Sequence, residues 1–200
     1  MDSSRPKEII TVPSLQTYFF DVLSDLNKKA TCPIPQEIIY YSSDVLNKFA
    51  LSHEYYDSRE GKVREKILGT KLLEATQVSR EEQKRIYKDV GDTALFLCGY
   101  FAESTQKKLV DANYYSQLGR SAYQNLNGVV PKFFDIPCFY SMLSTSFGPL
   151  VSLISKVASL DRFGEERYLG FRKILLTGEE MTPEEHISSG VIPNFEKKVS

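Results

Sequence analysis

Apolar side chains recur along most of the chain at the spacing of amphipathic α-helices. The first stripe repeats every one to three residues and places these side chains on one helical face: Leu15, Tyr18, Phe19, Val22, Leu23 and Leu26. Comparable stripes, separated by proline, glycine and polar stretches, predict further helices over about 35–51, 62–76, 79–104, 111–126, 135–148, 149–160 and 164–176. Residues 52–61 are predicted to be a loop, and β-strand signals are weak throughout. The sequence therefore predicts an all-α fold of about eight helices.

The rest of the chain is predicted to be organised around one stretch, residues 91–123. From 93 to 102 there is no charge, and the run 94–98 is apolar on every side, which is typical of a buried helix. The pattern that follows has the small residues Gly119, Ser121 and Ala122 between bulky ones. We predict a helical bundle around a central buried helix at about 92–104, with a hairpin partner at about 111–126.

The composition changes at both ends of the chain and predicts the domain organisation. Residues 1–12 are predicted to be an N-terminal tail, residues 13–178 a single helical domain, and residues 179–200 a polar C-terminal tail. In that tail, Thr182-Pro183-Glu184-Glu185 is a helix-start signature and predicts one short helix.

Charge and cysteine content exclude several classes of function. The formal net charge of −1 gives no electrostatic case for nucleic-acid binding. The 3 cysteines are far apart and have no metal-ligand spacing, which indicates a reducing compartment. The N-terminus lacks the pattern of a signal peptide. With only 2 histidines as well, we predict a cytoplasmic protein without metal or cofactor.

Residues 136–155 contain no charge and are long enough to span a bilayer. Pro137 and Gly148-Pro149 interrupt the stretch, and no basic cluster flanks it, so membrane contact is not predicted. Two buried short helices are one interpretation. The other is an exposed apolar surface for a partner. The side chains of such a partner surface would be Phe139, Phe147, Leu150 and Ile154.

The two central helices also carry aromatic and charged residues that could line a pocket for a small apolar or anionic ligand. The candidate ligand-binding residues are Asp92, Phe96, Tyr100, Tyr115, Arg120 and Tyr123. The simpler interpretation is close helix packing, with Asp92 and Asp111 as helix caps and Arg120 paired with one of them. A third hypothesis is an enzyme that uses Asp92 or Glu103 with Arg120.

The stretch GDTALFLCGYFAES, followed by DANYYSQLGRSAYQNL, resembles a group of uncharacterised bacterial all-helical proteins. The resemblance covers about residues 14–127 and implies a bacterial cytosolic protein. It carries no known activity and transfers no site residue.

No catalytic or metal-binding constellation appears in the sequence, so two functions stay open. The first is a non-enzymatic protein-interaction or regulatory module. It would present an apolar surface from 136–160 and a mobile C-terminal tail to a protein partner or to a second copy. The alternative is a small-molecule or lipid-binding helical domain with a Tyr/Phe-lined pocket and an anion contact from Arg120.

Overall fold

The computed structural model describes residues 14–51, 56–59, 62–102, 112–130 and 138–160. Within them the chain forms seven helices and one two-stranded hairpin: α1 (Leu15–Lys28), α2 (Gln36–Leu51), β1 (Tyr56–Arg59), β2 (Lys62–Glu65), α3 (Leu68–Ala75), α4 (Arg80–Tyr100), α5 (Ala112–Val129), α6 (Phe139–Thr145) and α7 (Phe147–Leu160). The predicted helical class is confirmed for these residues. The predicted eighth helix at 164–176 and both predicted tails lie outside the described residues.

The connection between α1 and α2 is fixed by the buried side chain of Asn27. Its Nδ2 donates to the carbonyl oxygen of Ile34, and the backbone N–H of Ile34 donates to Asn27 Oδ1, each over 2.8 Å. These two bonds satisfy both backbone groups of a buried residue, which would otherwise be costly to bury. At the other end of α1, the Ser14 hydroxyl accepts from the Thr17 N–H and caps the helix. As a result, α1 and α2 pack side by side.

The prediction of one helix over 62–76 was wrong in its first part. Residues 62–65 form β2, which pairs antiparallel with β1 so that Tyr56 lies opposite Glu65 and Arg59 opposite Lys62. Helix α3 begins only at Leu68. Lys66, which is buried between β2 and α3, forms an ion pair of 2.8 Å with Asp89 of α4, and this pair ties the segment to the core.

Helix α4 lies at the centre of the described fold. Its N-terminus lies where the sequence predicts a helix to begin and is capped by the Ser79 hydroxyl, which accepts from the Glu82 N–H. From Val90 to Gly99 every residue is buried, so the predicted change from a surface helix to a core helix is confirmed. The helix continues through Gly91 without a break and packs mainly on α5 and α7.

Glycines allow the close contacts between these central helices. A Cβ at Gly91 would lie 2.6 Å from the Tyr123 ring, and one at Gly99 would lie 2.5 Å from Ile154 Cγ2. A Cβ at Gly119 would overlap the ring of Phe147. Since such distances are impossible for real atoms, α4, α5 and α7 could not approach as closely with any larger residue at these positions.

Helices α6 and α7 differ from the prediction in where they begin and how they join. The described part of α6 starts at Phe139, after Cys138, which has a left-handed backbone with φ of 72°. The bend between the two helices lies at Ser146, not at Gly148-Pro149. Those two residues instead occupy the first turn of α7, where proline is well tolerated. The predicted start of α6 at residue 135 and the predicted interruption at Pro137 lie outside the described residues. Helix α5 likewise passes Asn127-Gly128, where the sequence predicted its end, and stops at Val129.

Candidate ligand-binding site

A single carboxylate lies in the buried half of α4. Asp92 is the only charged residue between Val90 and Gly99, and its side chain is 0% exposed. A charge removed from water in this way is costly unless donors surround it. The sequence predicted that Asp92 and Asp111 cap helices and that Arg120 pairs with one of them. The cap and the pairing are wrong for Asp92, whereas Asp111 lies outside the described residues. Asp92 sits inside α4, and its hydrogen-bond partners are Tyr41, Lys88 and Tyr123.

Three side chains, one each from α2, α4 and α5, donate hydrogen bonds to Asp92. The hydroxyls of Tyr41 and Tyr123 donate to Oδ1 over 2.6 and 2.9 Å. The Lys88 ammonium, one helical turn earlier on α4, donates to Oδ2 over 2.7 Å. Lys88 also lies 4.9 Å from the centroid of the Tyr41 ring, a cation–π distance. The carboxylate is therefore neutralised and hydrogen-bonded by helices α2, α4 and α5 together.

The two tyrosines that donate to Asp92 have raised pKa values, and burial is the main cause. It raises the pKa of Tyr41 and of Tyr123 well above the usual value, and the negative charge of Asp92 raises both further. The pKa of Tyr140 is raised for the same two reasons. The hydroxyls of Tyr41 and Tyr123 therefore remain donors to Asp92 through the neutral pH range.

Aromatic rings from α2, α5, α6 and α7 surround this polar centre. We call them the aromatic cluster; its members are Tyr41, Tyr123, Phe139, Tyr140 and Phe147. The Tyr41 ring meets the Phe139 ring edge-on at 5.4 Å and the Tyr123 ring at 6.3 Å, while Tyr140 stacks on Tyr123 at 6.3 Å. Edge-on and offset contacts at these separations are the favourable ones for aromatic pairs. The cluster therefore holds Tyr41 and Phe139 in fixed positions.

Tyr41 and Phe139 also form part of the wall of an open cavity of about 550 Å³. We call it the groove. It lies between α1, α2 and α6, and its lining residues are Phe20, Gln36, Glu37, Tyr40, Tyr41, Asp44 and Phe139. The Phe20 and Tyr40 rings meet edge-on at 5.9 Å on one side, and Tyr40 is 58% exposed. The Gln36 side chain is held by a 3.0 Å bond to Ser24 Oγ.

The charged residues of the groove are acidic. Glu37 and Asp44 are both exposed, seven residues apart on α2, and none of the described residues that line the groove is basic. Neither carboxylate forms a side-chain hydrogen bond or ion pair with another residue in the described part of the chain. Four aromatic rings and two unneutralised carboxylates therefore face one space.

The predicted ligand-binding residues do not form one pocket. Asp92 and Tyr123 meet, as described above. The other aromatic candidates are elsewhere: Phe96 stacks on Phe49 at 4.9 Å and on Tyr100 at 5.4 Å, and Tyr115 is buried on α5.

Arg120 does not reach Asp92. It is exposed, and its guanidinium lies beside Gly148 in the first turn of α7. The predicted anion contact therefore has no place beside Asp92 or in the groove. Glu103 and Asp111 lie outside the described residues.

The structure also corrects the partner surface predicted from 136–160. Phe147, Leu150 and Ile154 are each 0% exposed and belong to the core, so they cannot present an apolar surface to a partner. Phe139 is half-buried and lines the groove. The uncharged stretch thus forms core helices, the simpler of the two interpretations that the sequence left open.

Several residues of the site were not singled out from the sequence. Lys88 carries a readable signal, because a lysine four residues before a buried Asp92 lies on the same side of the helix. Tyr40 and Tyr41 are adjacent in the sequence, and nothing local indicates that the Tyr41 hydroxyl bonds to Asp92 while the Tyr40 ring is exposed at the groove. Phe20 belongs to the stripe of α1 and gives no signal of its own.

Neither a metal-binding cluster nor a single membrane-spanning helix occurs among the described residues. No group of three or more His, Cys, Asp and Glu side chains is placed to hold a metal ion among them. Within the same ranges no single helix is both long and apolar enough to cross a membrane. Helices α6 and α7 meet that length and composition only as a pair, and they are bent by 70°.

Comparison of the chain with protein-family models, with curated proteins and with solved structures gives no significant match.

Proposed function

We propose that this protein is a non-enzymatic helical domain that binds a small molecule with an apolar, aromatic body in the groove. The observation that carries the proposal is the groove itself, a cavity of about 550 Å³ with four aromatic rings in its wall. Small-molecule sites commonly measure about 300–1,000 Å³ and are lined mainly by apolar and aromatic side chains with a few polar groups.

The exposed ring of Tyr40 gives a ligand apolar surface to cover. Tyr40 is 58% exposed, and it meets Phe20 at one end of the groove, while Phe139 lies at the other side beside Tyr41. A flat apolar ligand between these rings would remove their surfaces from water, which is favourable at about 25 cal/mol per Å². Offset and edge-on ring contacts would add to this.

The groove is also held in shape before any ligand arrives. Tyr41 cannot turn away without losing its 2.6 Å bond to Asp92, and Gln36 is fixed by Ser24. A preformed site loses less side-chain freedom on binding than a site that must order itself. The described surroundings of Asp92 also favour binding over catalysis, because this carboxylate is fully buried and already accepts from three donors.

Fluorine NMR on protein that contains 3-fluorotyrosine tests the proposal. A library of small aromatic compounds would be screened for changes in the signal of Tyr40, assigned with Tyr40→Phe. The exposed Tyr114 of α5 gives the matched control signal. We expect compounds that shift the Tyr40 signal and leave the Tyr114 signal unchanged. Such compounds should lose at least tenfold in affinity in Tyr40→Ala, as measured by isothermal titration calorimetry, because this variant lacks the Tyr40 signal. If no compound moves the Tyr40 signal selectively, the groove is not a binding site.

A protein-interaction module is the second candidate. Its surface would have to differ from that predicted over 136–160, and the most exposed apolar side chains near α3, Ile67 and Leu73, are 60% and 73% exposed. Single exposed apolar residues are common on protein surfaces, so this observation is weaker than the groove. Light scattering on the parent and on Leu73→Ser tests self-association. A parent dimer that Leu73→Ser converts to a monomer would favour this candidate.

The remaining parts of the proposal follow from the sequence. We infer a single helical bundle over 13–178, in which α2, α3, α5 and α7 pack on α4, while α1 packs on α2 and α6 packs on α5. We also infer a bacterial, cytoplasmic protein, which is consistent with cysteines 32, 98 and 138 all being free thiols.

A further inference from the structure

We propose that the groove is selective for an organic cation, an ammonium group carried on an apolar or aromatic body. This inference rests on the proposed function and names the ligand class of the same site. It begins from the charge of the described lining residues, which include Glu37 and Asp44 and no lysine, arginine or histidine. A cationic ligand would be attracted by both carboxylates, and an anionic ligand would be repelled by both.

The two carboxylates lie on the same side of α2 as the aromatic walls. Glu37, Tyr40, Tyr41 and Asp44 follow the i, i+3, i+4, i+7 spacing of one helical face, and all four line the groove. Seven residues correspond to about 10 Å along the helix axis. An ammonium group between the two carboxylates would therefore lie over the tyrosine rings and not beyond the aromatic surface.

Aromatic rings attract cations as well as apolar groups. The face of a tyrosine or phenylalanine ring is electron-rich, and an ammonium within about 6 Å of its centroid is stabilised by it. The protein already makes this contact in the same wall, since Lys88 Nζ lies 4.9 Å from the centroid of the Tyr41 ring. No cation among the described residues lies over the Tyr40 ring, and the exposed surface of that ring is available to a ligand.

No cation of the described protein neutralises the two groove carboxylates. Lys88, the lysine in contact with Tyr41, is bonded to Asp92 over 2.7 Å. Glu37 and Asp44 have no ion pair or hydrogen-bond partner in the described ranges. A ligand ammonium would therefore supply a positive charge beside the two carboxylates, which the described lining residues do not supply.

Two isosteric probes separate charge from shape. The cation (3-hydroxyphenyl)trimethylammonium and the neutral 3-tert-butylphenol have nearly the same shape and differ by one charge. We expect the cation to bind about tenfold more tightly at low ionic strength, as a cation–π contact with carboxylate support implies. The anion 3-hydroxybenzenesulfonate should bind more weakly than either. Affinities would be measured by the shift of the Tyr40 signal, and 0.5 M NaCl should weaken binding of the cation alone.

The double variant Glu37→Gln, Asp44→Asn keeps the shape of the lining and removes its charge. We expect it to lower the affinity for the cation to about that of the neutral phenol and to leave binding of the phenol unchanged. Asp25→Asn, an exposed carboxylate of α1 outside the lining, is the matched control and should change neither affinity.

The outcomes distinguish the two proposals. If the neutral phenol binds as tightly as the cation, or if the double variant binds the cation as tightly as the parent, the cation inference is wrong and the groove remains a binding site. If neither probe nor any aromatic compound shifts the Tyr40 signal, both proposals are wrong.

Discussion

The Tyr41 hydroxyl donates a 2.6 Å hydrogen bond to Oδ1 of Asp92, and this bond joins the wall of the groove to the buried half of α4. Tyr123 of α5 donates a second hydrogen bond to the same oxygen of Asp92. One carboxylate thus fixes side chains from two helices that are far apart in sequence. Three of the predictions below concern this centre and the helices packed around it.

We expect Asp92→Ala to be strongly destabilising. The substitution leaves the hydroxyls of Tyr41 and Tyr123 and the ammonium of Lys88 without their acceptor in the core. Removing one partner of a buried charged network costs about 3 kcal/mol or more of unfolding free energy. Urea unfolding followed by circular dichroism measures it. Asp25→Ala, which breaks an exposed ion pair, should change stability by less than about 0.5 kcal/mol. Equal losses in the two variants would contradict the role given to Asp92.

At alkaline pH, the unfolding free energy of the parent protein should fall more steeply with rising pH than that of Tyr123→Phe. Burial and Asp92 raise the pKa of Tyr123 well above the ordinary value of about 10. The protonated hydroxyl therefore contributes stability that is complete below pH of about 10 and is lost as pH rises towards its folded-state pKa. Over that window the slope of unfolding free energy against pH should be about 1.4 kcal/mol per pH unit steeper for the parent.

The measurement is urea unfolding at several pH values between 9 and 12. Tyr114→Phe on the same helix is the control, because it removes a tyrosine hydroxyl that is not bonded to Asp92. The Cys98 thiol is common to all three proteins and cancels in the comparison. Parallel curves for the parent and Tyr123→Phe would show that Tyr123 ionises as freely in the folded protein as in the unfolded one.

Alanine at two glycines of α5 should act in opposite directions. A Cβ at Gly119 would overlap the Phe147 ring and lie 2.9 Å from Ala94 Cβ, so Gly119→Ala forces α5 away from α4 and α7. Such overpacking typically costs about 1–3 kcal/mol. A Cβ at Gly128 meets no atom within 4 Å, and Gly128→Ala should stabilise the helix by up to about 1 kcal/mol.

Thermal unfolding of both variants and of the parent shows whether each substitution raises or lowers the melting temperature. The pair is matched because both changes add one methyl group to the same helix, so the intrinsic helix propensity gained is similar. A rise in melting temperature for Gly119→Ala would mean that the helices can separate at no cost, contrary to the close contact described here.

The sequence predicts the helical part of the fold well where local pattern decides it. The run 94–98 has no polar residue, so burial on every side was the only outcome consistent with a folded helix. The cap at Ser79 is equally local. The hairpin of β1 and β2 escaped prediction because its strands are polar and the sequence Glu60-Gly61 between them is a weaker turn signal than Asn-Gly.

The groove could not be predicted in the same way. Its wall comes from Phe20, Tyr40, Tyr41 and Phe139, which lie on three helices and meet only through tertiary packing. The uncharged stretch 136–155 could not be interpreted from sequence for a similar reason. Its apolar pattern is the same whether the side chains pack in the core or contact a partner. Only the position of α7 against α4 decides that Phe147 and Ile154 are core residues.

The three cysteines should divide into two reactive thiols and one protected thiol. Cys32 and Cys138 are exposed, whereas Cys98 is 3% exposed within α4, and burial raises the pKa of its thiol to about 12. Because the thiolate is the nucleophile, the folded protein should react with Ellman's reagent at pH 8 with a fast amplitude of two thiols. The third should react only at the rate of unfolding, or at once in urea. Cys98→Ala should keep the fast amplitude and abolish the slow one, whereas Cys32→Ser should halve the fast amplitude. Three fast thiols in the parent would contradict the burial of this part of α4.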